Sequence, residues 1–177
     1  MCGICEAAPP PFSRHRSAGR YQGPLKDAVL LLKYRKYKPL GALLGGKAFE
    51  ALKRDQEFWE GIALVVPVPL HERRRRERGF NQAEAVAREI AGRAGLPLDR
   101  RVLRKTRNAP PQTSLERADR AANVRGAYAV ARGEAIAGKI ILLVDDVFTT
   151  GATLGACARV LRAAGAAEVR AITIAQA

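Results

Sequence analysis

The chain has 177 residues, 47 % of them hydrophobic and 27 % charged, with a net charge of +14. That balance suits one soluble globular domain and excludes a mostly disordered chain, and no stretch reaches the roughly 18 uncharged apolar residues of a membrane span. The excess charge is concentrated in residues 71–132, which hold 16 basic and 7 acidic side chains. Such a stretch either attracts polyanions (nucleic acid, anionic lipid, a phosphorylated small molecule) or solubilises the surface, and composition does not separate the two.

Residues 1–24 read as a loose, flexible leader without a periodic pattern, and without the basic and apolar regions of a secretory signal. From Leu25, the positions Leu25, Ala28, Val29 and Leu32 share one face of a helix, which Pro39 and Gly41 end. A second helical stretch is expected from about Leu40 to Trp59, and residues 62–70 (IALVVPVPL) form a short apolar strand stopped by prolines. Residues 80–95 (FNQAEAVAREIAGRAG) form a helix with Ala83, Val86, Ala87 and Ile90 on one face and Gly95 as its stop. RVLRK is a brief strand, the Pro-bearing stretch that follows is a mobile loop, and GAYAVA is a further strand. Residues 139–147 (KIILLVDDV) form the clearest strand, with the near-continuous apolar run of a central parallel strand. A helix with Leu154, Cys157, Val160, Leu161 and Ala164 inward and a last strand, VRAITIA, complete the chain. Alternating strands and helices imply an α/β fold with a mostly parallel sheet flanked by helices, whose ligands bind beyond the C-terminal strand ends.

The segment ILLVDDVFTTGATL carries the chemistry. A buried strand delivers Asp145 and Asp146 to its C-terminal end, and the small loop Thr149-Thr150-Gly151-Ala152-Thr153 opens directly into a helix. The loop offers N–H groups, hydroxyls and a positive helix end to a phosphate. Carboxylates accept hydrogen bonds from hydroxyls or hold a hard cation. A ribose 5-phosphate, with Mg²⁺, has both ends that such a site requires. No Gly-Lys-Ser/Thr follows the glycine and no G-x-G-x-x-G occurs.

VDDVFTTGAT resembles the PRPP-binding motif of type I phosphoribosyltransferases. VVPVPLHERRRRERGFNQAEAVA, YQGPLKDAVLLLKYRKYKPLG and RKTRNAPPQTSLERADRAANVRGAY narrow the resemblance to the ComF family (competence protein F, ComFC-like), over residues 2–175. The resemblance implies a phosphoribosyltransferase-like domain at 25–177, with a helical hood at 25–60. It implies that Asp145 and Asp146 contact the ribose hydroxyls, one through Mg²⁺, and that Val147, Phe148, Thr149, Thr150, Gly151, Ala152 and Thr153 form the phosphate-binding segment. Arg104 and Lys105 would face pyrophosphate, the turn bearing Arg78 and Gly79 would be the pyrophosphate loop or its neighbour, and Asn108–Val124 would close over the reaction. Catalysis would be placement and leaving-group stabilisation rather than attack by a protein nucleophile.

Cys2-Gly-Ile-Cys5 matches only half of the four-cysteine zinc ribbon frequent in that family, so a Zn²⁺ site on Cys2 and Cys5 is incomplete, with His15 a third candidate and Cys157 a core residue. Three cysteines do not suit a disulfide-stapled secreted domain, and a cytoplasmic location is expected. Five arginines within Arg73–Arg78 suit phosphate forks. The resemblance also implies a link to competence and DNA uptake. The alternative to a transferase is therefore a non-catalytic competence factor that binds single-stranded DNA or a helicase partner. Tyr34, Tyr37 and Phe80 are the candidates for base stacking, and each is expected to pack against its own helix.

Overall fold

The computed structural model describes residues 9–35, 37–107 and 126–177. The expected closing loop at 108–124 and the pair Cys2 and Cys5 lie outside the described residues. In chain order the elements are strand β1 (Arg14–Arg20), helices α1 (Gly23–Tyr34), α2 (Pro39–Leu52) and α3 (Gln56–Trp59), strand β2 (Ile62–Pro67), helices α4 (Glu72–Arg78) and α5 (Gln82–Ala94), and strands β3 (Leu103–Lys105) and β4 (Tyr128–Val130). A short 3₁₀ turn at Gly133–Ala135 leads to strand β5 (Ile140–Phe148), helix α6 (Ala152–Ala163) and strand β6 (Glu168–Gln176).

β1, β6, β5 and β2 form a parallel sheet in that order, and β3 and β4 form a separate antiparallel pair. Successive side chains of β5 alternate between two cores, as the period of a strand requires. Ile141 and Leu143 pack with Leu154, Cys157 and Leu161 of α6 and with Leu103 and Tyr128 of the β3–β4 pair. Leu142 and Val144 pack on the opposite side with Val29 and Leu32 of α1, Leu44 of α2, and Val86 and Ile90 of α5. Helices thus cover both faces, as expected. The α2–α5 approach is close: a Cβ on Gly45 would lie 2.8 Å from both Glu89 Cβ and the Val86 carbonyl oxygen. Cys157 is a buried core residue, and burial pushes its thiol well above the ordinary range, which keeps it unreactive.

Three local expectations are corrected. The supposed leader contains β1, which pairs with β6 from Arg14↔Arg170 to Arg20↔Gln176. Its sequence, RHRSAGR, is almost wholly polar, so only the open backbone edge of β6 reveals it as a strand. The long helix expected at 40–59 is two helices, because the Asp55 carboxylate accepts a hydrogen bond from the Phe58 N–H at 3.2 Å and starts a new turn. Pro39 and Gly41, expected to end the first helix, instead stand at the start of α2 after α1 has ended at Tyr34; the brief strands β3 and β4 form as expected and pair with each other.

Arg170, on β6, ties this sheet to α3. Its side chain is 8 % exposed, and its Nη1 donates to the carbonyls of Glu57, Phe58 and Glu60 at 3.1, 2.7 and 2.8 Å. Its Nε and Nη2 grip both oxygens of Glu168 at 2.7 and 3.1 Å. The hydrogen bonds from Arg170 and from Ser13 hold the Glu168 carboxyl down at about 2. A carboxyl held below its unfolded value stabilises the fold at any pH above that unfolded value, and the gain disappears as pH falls toward about 2. After discounting for its solvent exposure, Glu168→Gln is expected to cost about 1 kcal/mol at neutral pH and progressively less below about pH 4. Urea unfolding at neutral pH and near pH 3 checks this; equal losses at both would contradict the linkage.

Candidate functional site

β5 runs out of the core at Val144, so Asp145 and Asp146 arrive at the C-terminal edge of the sheet only partly buried. The Asp146 N–H donates to Asp145 Oδ1 at 2.9 Å. Lys33, projecting from α1, places its Nζ 3.1 Å from Asp146 Oδ1. The second oxygen of each carboxylate has no hydrogen-bond partner among the described residues. Burial, reinforced by the adjacent Asp146 charge, pushes the Asp145 carboxyl well above the usual carboxylate range. Burial pulls Lys33 down, but the charge and hydrogen bond of Asp146 and the charge of Asp145 outweigh it, so the ammonium is held charged.

The phosphate-type loop follows directly. Gly151 takes a left-handed conformation, φ 74°, and caps α6. A Cβ at that position would lie 2.9 Å from the Phe148 ring, so only glycine fits both the turn and its neighbour. The Ala152 N–H donates to Thr150 Oγ1 at 3.4 Å. Asp145, Val147, Phe148, Thr149, Gly151, Ala152 and Thr153 line one shallow cavity of about 20 Å³. The structure therefore brings Asp145 and most of the loop together around one cavity, whereas Asp146, which meets Lys33, and Thr150 do not line it. Phe148 plays a supporting part as well: it stacks on His15 at 4.2 Å and meets Phe12 edge-on at 6.5 Å. His15 Nε2 lies 2.9 Å from Thr173 Oγ1, and burial, with the charge of Arg16, lowers its imidazole to about 4. The ring is thus a neutral prop behind the loop.

Arg104 and Lys105 reach a second, larger cleft of about 570 Å³, whose lining also includes Pro69, His71, Arg75 and Arg100. Lys105 lines the larger cleft, and its Nζ lies 5.4 Å from the Tyr128 ring centroid. Burial lowers Lys105 from the ordinary lysine value. Arg78 goes elsewhere: it donates to Gln82 Oε1 at 3.1 Å and lies over the Tyr34 ring at 5.8 Å. Gly79, at φ 76°, is the left-handed cap of α4. The expectation that Tyr34 and Tyr37 pack against their own helices does not hold, for they are 63 % and 60 % exposed.

A family model described as phosphoribosyl transferase domain matches residues 51–177. The chain belongs to the phosphoribosyl transferase domain family. Within it, the chain is similar to DNA utilization protein YhgH of Salmonella typhi, 31 % identical over 172 residues, which are 96 % of this chain and 74 % of that one. It is 28 % identical to competence protein F of Haemophilus influenzae over 96 % of this chain and 75 % of that protein. It is 33 % identical to competence protein ComFC of Streptococcus pneumoniae over 90 % of this chain and 67 % of that protein. The ComF resemblance is thereby confirmed along nearly the whole chain.

Sequence reasoning missed Lys33 and Tyr128. Lys33 carries no role in the stretch YQGPLKDAVLLLKYRKYKPLG, and Tyr128 reads only as a strand residue. What betrays both is proximity across the fold, which no spacing in the sequence records. Among the described residues, no helix is long and apolar enough to cross a membrane.

Proposed function

We propose that this chain binds PRPP at the end of β5 and transfers its phosphoribosyl group to an acceptor. The observation that carries the reading is the juxtaposition of two partly buried carboxylates, each with one uncommitted oxygen, and a loop opening into the N-terminus of α6. The Thr149–Thr153 loop takes the 5-phosphate through N–H groups, hydroxyls and the helix end. Asp145 and Asp146 accept hydrogen bonds from the ribose 2- and 3-hydroxyls. Lys105, with Arg104 beside it, faces the pyrophosphate. As the bond from C1 to the pyrophosphate oxygen breaks, its electron pair leaves with pyrophosphate, and the acceptor's lone pair forms the new bond to C1. The chain's contribution is to align these groups, offset the leaving charge and exclude water.

Among the described residues, no three His, Cys, Asp or Glu side chains come together as a metal-binding group. The free oxygen of each carboxylate has two lone pairs, so it can accept a ribose hydroxyl and still fit Mg²⁺ as it is ordinarily bound, through one or two carboxylates and the ligand's own phosphates. Asp145 and Asp146 would hold it there, where it supplies charge neutralisation of the pyrophosphate. Calorimetric titration of PRPP into the protein, with and without Mg²⁺, tests the reading. Binding is expected with Mg²⁺ present; its absence under both conditions would overturn the assignment.

A second reading is favoured by the exposed aromatics Tyr34 and Tyr37, with Arg78 over the Tyr34 ring and Lys38 nearby over the partly buried Phe80 ring. Aromatic rings among basic groups suit single-stranded nucleic acid, and the relatives bear competence and DNA-utilization names. Competition between single-stranded DNA and PRPP would indicate one shared site, and simultaneous binding two surfaces.

A further inference from the structure

Lys33 precedes the residues 51–177 that match the family model, yet it reaches Asp146, one of the two acidic residues of the candidate site. It sits in the last turn of α1, whose Val29 and Leu32 are fully buried against the sheet, so the helix that carries it is anchored. Its pairing with Asp146 differs from the other ion pairs of the arginine-rich surface. The Lys33 and Asp146 side chains are 19 % and 14 % exposed, whereas those of Arg76 and Glu72 on α4 are 76 % and 85 % exposed. A contact this sheltered is little screened by salt and holds both groups in one geometry.

Adjacent carboxylates repel each other and repel a phosphorylated ligand. At the end of β5 both are oriented from within the protein: Asp145 by the N–H of Asp146, and Asp146 by Lys33. Each arrangement uses one oxygen and leaves the other for a hydroxyl. We propose that Lys33 is a positioning residue of the sugar-phosphate site, supplying from the hood helix the charge compensation that lets Asp145 and Asp146 take the diol of a ribose 5-phosphate group without a divalent cation. The inference rests on the PRPP reading and deepens it, for it divides the ligand in two: the chain's own groups hold the ribose 5-phosphate end, and a divalent cation is needed only for the pyrophosphate.

The test is calorimetric titration of ribose 5-phosphate in the presence of EDTA, into the wild type, Lys33→Met and Lys33→Arg, with PRPP plus Mg²⁺ into the wild type as reference. The wild type is expected to bind ribose 5-phosphate without metal. Lys33→Met should weaken that binding at least tenfold and Lys33→Arg should restore most of it, while inorganic phosphate, which needs only the Thr149–Thr153 loop, binds all three alike. Should Lys33→Met fold poorly, the Asp146→Asn background leaves no carboxylate opposite the lysine. There Lys33→Met should add little further loss, and a full additional loss would show that the lysine does not act through Asp146. Equal binding by wild type and Lys33→Met, or ribose 5-phosphate binding that requires Mg²⁺, would overturn the role of Lys33 while PRPP binding left the wider reading standing. Failure of the wild type to bind either ligand would overturn both.

Discussion

Replacing Asp145 and Asp146 together by asparagine is expected to weaken PRPP binding at least a hundredfold while leaving inorganic phosphate binding intact. On the proposed reading each carboxylate accepts a hydrogen bond from one ribose hydroxyl. A hydrogen bond to a charged group contributes about 1.5–3 kcal/mol, so two together account for about 3–6 kcal/mol, where each 1.4 kcal/mol is about tenfold in affinity. The amide retains the shape and one acceptor oxygen but loses the charge, and Lys33 then faces a neutral partner. The loop from Thr149 to Thr153 and its helix are untouched, which is why phosphate alone should still bind. Calorimetry with both ligands, alongside thermal unfolding to confirm the fold, measures this. An unchanged PRPP affinity would remove the carboxylates from the site, whatever role the loop retains.

The largest effect on stability is expected away from the site. Arg170→Met should destabilise the fold by about 2–4 kcal/mol, because it removes a buried guanidinium whose acceptors, left unsatisfied, cost about 1–3 kcal/mol each where they are buried. Methionine fills much of the same volume, so the loss comes from polar groups rather than from a cavity. Three carbonyls around the end of α3 lose their donor, and Glu168 loses both arms of its fork. Arg170→Lys should recover only part, because an ammonium cannot reproduce the planar fork that spans carboxylate and carbonyls. Equilibrium unfolding in urea distinguishes these outcomes; a loss below about 1 kcal/mol for the methionine variant would mean that water replaces the arginine at little cost.

Much of the fold was legible because its central elements obey simple periodicities. β5 is nearly all apolar up to the point where its two aspartates begin, and α6 repeats its apolar residues at helical spacing. The same regularity made the candidate site readable, since its carboxylates and loop are consecutive in the chain and a strand followed by a glycine-capped helix positions them without help from elsewhere. β1 was illegible for the opposite reason: its side chains are polar, and its strand conformation comes from hydrogen bonds to β6, more than 150 positions away. The break between α2 and α3 was missed because the Asp55 cap competes with an otherwise helical pattern. The contacts of Arg78 with Gln82 and the Tyr34 ring join it to α5 and α1, and the Tyr34 contact bridges residues too far apart in the chain for any spacing to record.

By itself the sequence determined the α/β class, the strand that carries the acidic pair, the glycine-bearing loop after it and the ComF resemblance. Each is encoded by residues close together in the chain. Only the tertiary structure decided which distant groups meet there: Lys33 of α1 against Asp146, and Lys105 over the Tyr128 ring. Charge compensation depends on distance in space and on burial, and neither is fixed until the helices have packed on the sheet.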